Sequence, residues 1–338
     1  MGGLDIEEIT SPAGLDALRP AWLDLWERAP DTTPFQSPAW LLPWWRHFGQ
    51  GELLTLAVRR GGDELVGLAP LYVYPEPSGR KLLPLGVGIS DYLDPLLAPG
   101  HEAEAAAAVL DHLGRRADRF DRCDLECLRP GSPLLDAALP PGWTASVHAA
   151  EPCPVLALPD DLADLDHAVP RLAKHAYYLR RAERLGATRL EAATRDTVGP
   201  LLDALFALHA ARWTGRGEPG VLADATVRAF HCEAAPALLD LGLLRLYGLG
   251  IDGRTVAVFY GLADRTRAHA YIGGFDPAVA HPGLGALMIG HAVPEAAREG
   301  KREFHFLRGR EPYKYAWGAV DRAGYGRRLV PARDAGLS

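Results

Sequence analysis

The sequence contains no apolar run of the ~18 residues that a membrane-spanning helix needs, so no transmembrane segment is expected. It has no surplus of positive charge either: 36 Lys and Arg face 43 Asp and Glu, a net charge of −7. DNA binding by phosphate neutralisation over the whole surface is thereby disfavoured, while a local basic face is still allowed. The opening residues, MGGLDIEEIT, lack the positive and apolar stretches of a secretory leader, and a cytoplasmic location is expected. Four cysteines, Cys123, Cys127, Cys153 and Cys232, show no Cys-x-x-Cys spacing and read as buried thiols. His209 and His291 have no second ligand at metal spacing, so no metal is expected. Also missing are GxxxxGK followed by Ser or Thr, HExxH, GxSxG, and a GxGxxG after a strand. Their absence disfavours P-loop ATPases, zincins, serine hydrolases and Rossmann dehydrogenases.

What is present is a repeat. At roughly 100–200 residues per domain, 338 residues predict about two domains, and 48% hydrophobic content gives each a core. LLTLAVRRGGDELVGLAPL (53–71) lies over LLRLYGLGIDGRTVAVFYG (243–261) without a gap. Each reads strand, tight turn, strand, turning at Gly61-Gly62-Asp63 and at Asp252-Gly253. SDYLDPLLAPG (90–100) then lies over IGGFDPAVAHP (272–282), setting Asp94-Pro95 on Asp276-Pro277. DLECLRPGSP (124–133) lies over EFHFLRGREP (303–312), setting Leu128-Arg129 on Leu307-Arg308. Helical stretches at 102–114 and 284–300 precede the last block, and Pro294 is expected to interrupt the second. Each copy thus reads helix, β-hairpin, third strand, turn, helix, strand: a tandem α/β fold with mixed sheets.

The second copy opens with the helix DTVGPLLDALFALHAARW (196–213), the first with helices at 13–28 and 38–48. Pro152, Pro154, Pro159 and Asp160-Asp161 read as a linker that divides the chain into 1–158 and 159–338. The segment RLAKHAYYLRRAERLG (171–186) reads as a helix closed by Gly186. It carries Arg171, Lys174, Arg180, Arg181 and Arg184 against Glu183 alone, a face suited to an anion.

A hairpin feeding a third strand, then a Gly-containing turn into a helix and a further strand, resembles the GNAT N-acyltransferase fold. Two copies in tandem resemble the FemAB-like arrangement. More narrowly, FQSPAWLLPWW (35–45), LRRAERLG (179–186), HAARW (209–213) and above all FHFLRGREPYKYAWGA (304–319) resemble the CelD-type (cellulose biosynthesis) acetyltransferase branch. The resemblance implies an acyl-CoA-dependent N-acyltransferase, most simply an acetyltransferase, with an amine acceptor bound between the two halves.

In such a fold the donor's pyrophosphate sits on backbone N–H groups at a helix start, where unpaired donors and the positive end of the helix dipole converge. The matching stretch is AHPGLGAL (280–287), with Gly283, Leu284, Gly285 and Ala286 as donors. The family's usual Arg or Gln at the start of this loop is Ala280 here. Glu102 and Glu104 open the corresponding helix of the first copy and repel phosphate, so only the second copy is expected to take acyl-CoA. The resemblance further implies a strand N–H near Ile272 and Gly273 that polarises the thioester carbonyl, and Tyr315, or failing it Tyr313, as acid for the departing thiolate. Asp91 and Glu311 are candidate bases, whereas Asp276, before Pro277, reads as a turn residue. Arg180, Arg212 with Trp213, Tyr271, Arg308 and Lys314 are candidate substrate-binding residues, because a guanidinium beside an aromatic ring binds an anion or stacks on a planar group.

Two other readings stay open. One is a Fem-type ligase that takes an aminoacyl group from charged tRNA. Such enzymes commonly carry a long helical hairpin that helps engage tRNA, and no ~40-residue charged coiled segment is seen, so tRNA is not the expected partner. The other is a non-catalytic accessory protein that binds an anionic saccharide precursor. The acceptor is expected among small molecules and saccharide or peptide precursors, and these residues set no oligomeric state.

Overall fold

Alternating apolar and charged residues, LDIEEI, form an opening strand, β1 (Leu4–Ile9), which the repeat did not reveal. Three helices follow, α1 (Pro12–Ala17), α2 (Arg19–Arg28) and α3 (Pro38–Phe48), whose Trp22, Leu25, Trp40 and Trp44 are buried. Next come β2 (Glu52–Leu53), the hairpin β3 (Thr55–Arg60) and β4 (Glu64–Ala69), and a second hairpin, β5 (Leu71–Glu76) and β6 (Gly79–Pro84). β7 (Leu96–Leu97), α4 (Glu102–Arg115), β8 (Arg122–Leu128), α5 (Pro133–Asp136) and β9 (Trp143–Ala157) complete this part of the chain. Then come α6 (Leu165–Ala168), α7 (His175–Glu183), β10 (Thr188–Ala192), α8 (Val198–Thr214) and α9 (Ala225–Asp240). The remainder is β11 (Leu244–Ile251), β12 (Arg254–Ala263), β13 (Arg267–Phe275), α10 (Leu284–Arg298), β14 (Glu303–His305), α11 (Pro312–Tyr315) and β15 (Val320–Pro331).

The computed structural model describes residues 3–215, 217–279 and 283–331. They form two units, 3–151 with 323–331, and 152–322. In the first, β1, β3, β4 and β7 make one antiparallel sheet, while β8 lies parallel to β6 and antiparallel to β15. In the second, β10, β11, β12 and β13 are antiparallel in the same order, and β14 joins parallel to β13. The two repeat-derived hairpins therefore occupy the same place in each sheet. The turn of the second needs left-handed backbone, which Asp252 and Gly253 supply at φ 49° and 79°. The core of the second unit packs Tyr247, Leu249 and Phe259 of the sheet against Leu284, Leu287 and Val293 of α10 and Ala182 of α7. Each such large apolar side chain contributes roughly 1.5–3 kcal/mol on burial.

The structure departs from the sequence reading at several points. The proline-marked linker is instead the end of β9, which continues through Pro152 and Pro154 and pairs Val155, Leu156 and Ala157 with β14. A proline only has to avoid a position whose N–H is needed by the ladder. The unit change therefore falls at 151/152 rather than 158, and residues from 323 onward return to the first unit, where β15 pairs with β8. Asp94-Pro95 and Asp276-Pro277 are not equivalent, because the third strand follows the first pair and precedes the second. The β5–β6 hairpin, inserted only in the first unit, separates β4 from β7 there. Pro294 lies inside α10, which runs on to Arg298. The basic segment begins as a 3-10 turn, Pro170–Lys174, before α7 takes over. Among the described residues no helix is long and apolar enough to cross a membrane.

Candidate active site

In the second unit β13 and β14 pair only from Arg267↔Glu303 to His269↔His305. Residues 270–275 of β13 run on past the last pair, bonded on their other side to β12. The sheet thus splays open beside Tyr271, Ile272 and Gly273, all only partly buried. A β-bulge sharpens the bend: Tyr260 faces Ile272 and Gly261 faces Ala270, leaving Tyr271 as the extra residue. The Tyr271 ring packs against His231 and Tyr260, each at 5.5 Å between centroids.

The closed end of the splay is held by charge. Asp264 accepts from His269 Nε2 at 2.9 Å and from Arg267 Nε at 3.1 Å. Burial works to raise its pKa, but the His269 hydrogen bond and the neighbouring positive charges outweigh it and hold the carboxyl well below the usual range. On β14, Glu303 accepts from His305 Nε2 at 2.8 Å and from Arg322 at 2.6 and 2.9 Å, which also holds it low. The His269 and His305 rings lie 5.0 Å apart, and burial pushes His305 down to about 3, so it is neutral.

At the open end α10 begins. Gly283 caps it in the left-handed region, φ 79°, with no side-chain cap. Leu287 N–H bonds back to the Gly283 carbonyl at 3.0 Å, while the amides of Leu284, Gly285 and Ala286 meet no acceptor among the described residues. A Cβ on Gly285 would touch the Phe275 ring at 3.4 Å, and the Arg212 guanidinium lies 4.7 Å from that same ring's centroid. The end of β13, the start of α10 and the end of α8 therefore meet around one phenyl group. Ala280, the departure expected at this loop, lies outside the described residues.

The other lip is the turn after β14. Leu307 is left-handed at φ 59°, a costly conformation for a residue with a Cβ, and Gly309 follows at φ 106°. Lys314 Nζ holds this turn by donating to the carbonyls of Leu307, Arg308 and Gly309 at 3.1, 2.6 and 3.1 Å. Its ammonium, expected to bind substrate, is buried within the chain and also pairs with Glu311 at 2.9 Å. Pro312 starts α11 as a helical turn, which points Tyr313 and Tyr315 about 200° apart. Tyr315 donates to Asp321 Oδ1 at 2.7 Å, a bond that raises its pKa. Tyr313 packs edge-on against Phe306, with 6.2 Å between centroids. Desolvation pushes its pKa up to about 12, helped by Glu311 and opposed by the charge of Arg212.

The expected residues thus separate. Ile272, Gly273, Gly285, Arg212 and Tyr313 share the open end of the splay. Tyr315 faces Asp321, and Trp213 packs on His209 at 5.8 Å. Arg180 is exposed on α7, and Arg308 sits half-buried in the turn that Lys314 holds. Asp91 belongs to the first unit, half-buried in the loop between β6 and β7. In that unit Leu93 N–H, in the loop before β7, bonds to the Cys127 carbonyl of β8 at 3.1 Å. Asp94 there accepts from Arg129 Nε at 2.7 Å, and Gln36 Nε2 donates to the Asp94 carbonyl at 2.6 Å. Sequence reasoning missed Phe275, Leu307 and the Asp264–His269 pair. Only the alternation in AYIGGF and FHFL hinted that side chains there face a common space.

Residues 171–315 match the family model described as an acetyltransferase (GNAT) domain. No curated protein matches the sequence. Among solved structures, FemX superposes with a TM-score of 0.65 at 12% identity, covering 96% of each chain. A conserved protein from Bacteroides thetaiotaomicron superposes with a TM-score of 0.62 at 13% identity, over 97% of this chain and 99% of that one. The C-terminal domain of a putative lysylphosphatidylglycerol synthetase from Agrobacterium fabrum superposes with a TM-score of 0.60 at 14% identity, over 96% of this chain and 93% of that one. The fold is the mixed α/β fold of the GNAT and Fem-like proteins, present in two copies.

Proposed function

We propose that this protein is an N-acyltransferase whose second unit holds an acyl-CoA donor in the splay between β13 and β14. The observation that carries the reading is the convergence of three features on Phe275: an uncapped helix start, a guanidinium and the open strand edge. The amides of Leu284, Gly285 and Ala286 take the pyrophosphate, and Arg212 supplies from α8 the cation that the loop lacks. A β13 amide near Ile272 or Gly273 polarises the thioester carbonyl. The acceptor amine then attacks that carbon, the C–N bond forms, the C–S bond breaks, and the thiolate takes the Tyr313 proton. Tyr313 suits this role better than Tyr315, whose hydroxyl proton is given to Asp321. Burial keeps the Tyr313 phenol protonated at neutral pH, so it can hydrogen-bond the departing sulfur as charge develops there. Glu311 is the carboxylate nearest in sequence to receive the amine proton, by way of water. The motif at 304–319 supports placement in the CelD-type branch, with a cytoplasmic site of action.

The FemX likeness keeps an aminoacyl donor as the second reading. Against it, no helical arm stands among the described residues, where the longest helix, α8, has 17 residues. Calorimetric titration with CoA and with tRNA separates the two. CoA is expected to bind, and Gly285→Val to weaken it at least tenfold with the melting temperature almost unchanged, because among the described residues a Cβ there meets the Phe275 ring alone, at 3.4 Å. Tyr313→Phe should lower kcat by about 10²–10⁴ with little effect on CoA affinity, and Tyr315→Phe should not. Unaltered CoA binding in Gly285→Val would remove the helix start from the site.

A further inference from the structure

On the second unit, away from Tyr313 and Phe275 in the lining it presents, a cleft of about 530 Å³ opens beside the C-terminal end of α7. That is within the size range of small-molecule sites. Among the described residues its charged lining is Arg181, Arg184 and Arg254, the last paired with Asp276. The rest of its lining is apolar, Leu185, Ile251, Val256, Ala278 and Val279. The walls are built, not incidental. Asp252 in the β11–β12 turn accepts from the Ala187 amide at 2.8 Å, tying that turn to the end of α7. Asp276 ties the opposite wall by accepting from the Ala278 amide at 2.9 Å and pairing with Arg254. Leu185 is 51% exposed and Tyr177, one helical turn from Arg181, 48%. Exposed apolar side chains interleaved with arginines, on a chain of net charge −7, make this a locally basic, partly apolar face.

We propose that this cleft binds an anionic phospholipid, the phosphate on the guanidinium groups of Arg181 and Arg184 and the first apolar carbons against Leu185, Ile251 and Val256. Arginine forks suit phosphate oxygens, and the apolar lining leaves no role for a second phosphate along a chain. A nucleic acid fits less well, since it carries charge on every residue and, among the described residues, the lining holds no ring on which a base could stack. Arg181 keeps its contact with Tyr177 O–H, 3.1 Å, on the rim, where an amphipathic ring meets a lipid headgroup region.

The test uses the full chain and reads binding alone, so its outcome is independent of the acyl-transfer reading. Flotation with phosphatidylcholine vesicles is compared with vesicles also containing phosphatidylglycerol. Calorimetry compares dihexanoyl phosphatidic acid with glycerol 3-phosphate. Wild type should float only with the anionic vesicles and prefer the acylated compound. Arg181→Gln with Arg184→Gln should weaken both by about 10- to 100-fold, and Leu185→Ser should weaken only the acylated ligand. Arg302→Gln, a cation 75% exposed elsewhere in the unit, should change neither. If the double variant fails to fold, the exposed Arg184→Gln alone carries the test. Equal binding of glycerol 3-phosphate, unchanged vesicle binding in the arginine variants, or binding of an RNA duplex in place of vesicles would each overturn the proposal.

Discussion

Lys314 shows how a residue's role depends on what folds over it. Its ammonium gathers three carbonyls of a turn that contains a left-handed leucine, so its loss leaves buried acceptors without a donor. Lys314→Met should lower stability by about 2–4 kcal/mol in denaturant unfolding. Lys314→Arg should not restore it, because a planar fork cannot point at three converging oxygens. From the sequence, Lys314 read as a substrate-binding cation; nothing in YKY shows that one helical turn folds it back under the loop. The same turn decided between the two tyrosines, and Pro312 was the only local sign of it. Histidines add a pH dependence. Burial lowers His231 and His305 to about 3, and burial together with Arg212 lowers His209 to about 4, against ~6.5 in an unfolded chain. The unfolded state therefore binds more protons below pH ~6.5, and stability falls as pH drops toward 3. The depressed carboxyls of Asp264 and Glu303 add a second loss, below pH ~4.5. Melting temperature should be flat between about pH 7 and 8 and decline through pH 6 to 4, and His231→Phe should flatten part of that decline.

At the scale of elements, α10 was legible because its apolar spacing survives any context, and the two hairpins were legible because period-two alternation flanks a glycine turn. What failed was punctuation. Pro152 and Pro154 resemble a linker but lie in β9, where ladder geometry decides, and Pro294 does not end α10, whose flank packs on α7. The junction between α7 and α10 is tight at Gly283, where an added Cβ would come within 2.7 Å of the Tyr178 ring and the backbone is left-handed. Gly283→Ala should therefore cost about 1–3 kcal/mol. Adding Tyr178→Ala should recover the contact part and leave the backbone part, a partition that a double-mutant cycle measures. β1 and β10 escaped notice because each is short and half charged, and each is identifiable only by its pairing to β3 or β11.

At the scale of the whole molecule, tandem duplication was legible and its stitching was not. A sequence repeat shows which segments correspond, but not which unit a returning strand joins. Residues 323–331 complete the first unit, where Arg328 reaches Asp124 at 2.6 Å and Arg327 reaches the Ala137 carbonyl at 2.9 Å. A chain ended after Arg322 should keep a protease-resistant core from 152 onward while residues 3–151 become sensitive, since β8 loses its antiparallel partner. Sensitivity in both units would show that the strand stabilises more than its own. During synthesis the same arrangement inverts the usual order of completion. The half that leaves the ribosome first cannot close until residue 331 emerges, and at 5–20 residues per second the intervening stretch takes about 9–36 s to translate. For that interval β8 is an unclosed edge on a nascent chain, a window in which a chaperone can bind and a stalled ribosome leaves the first half exposed to proteolysis.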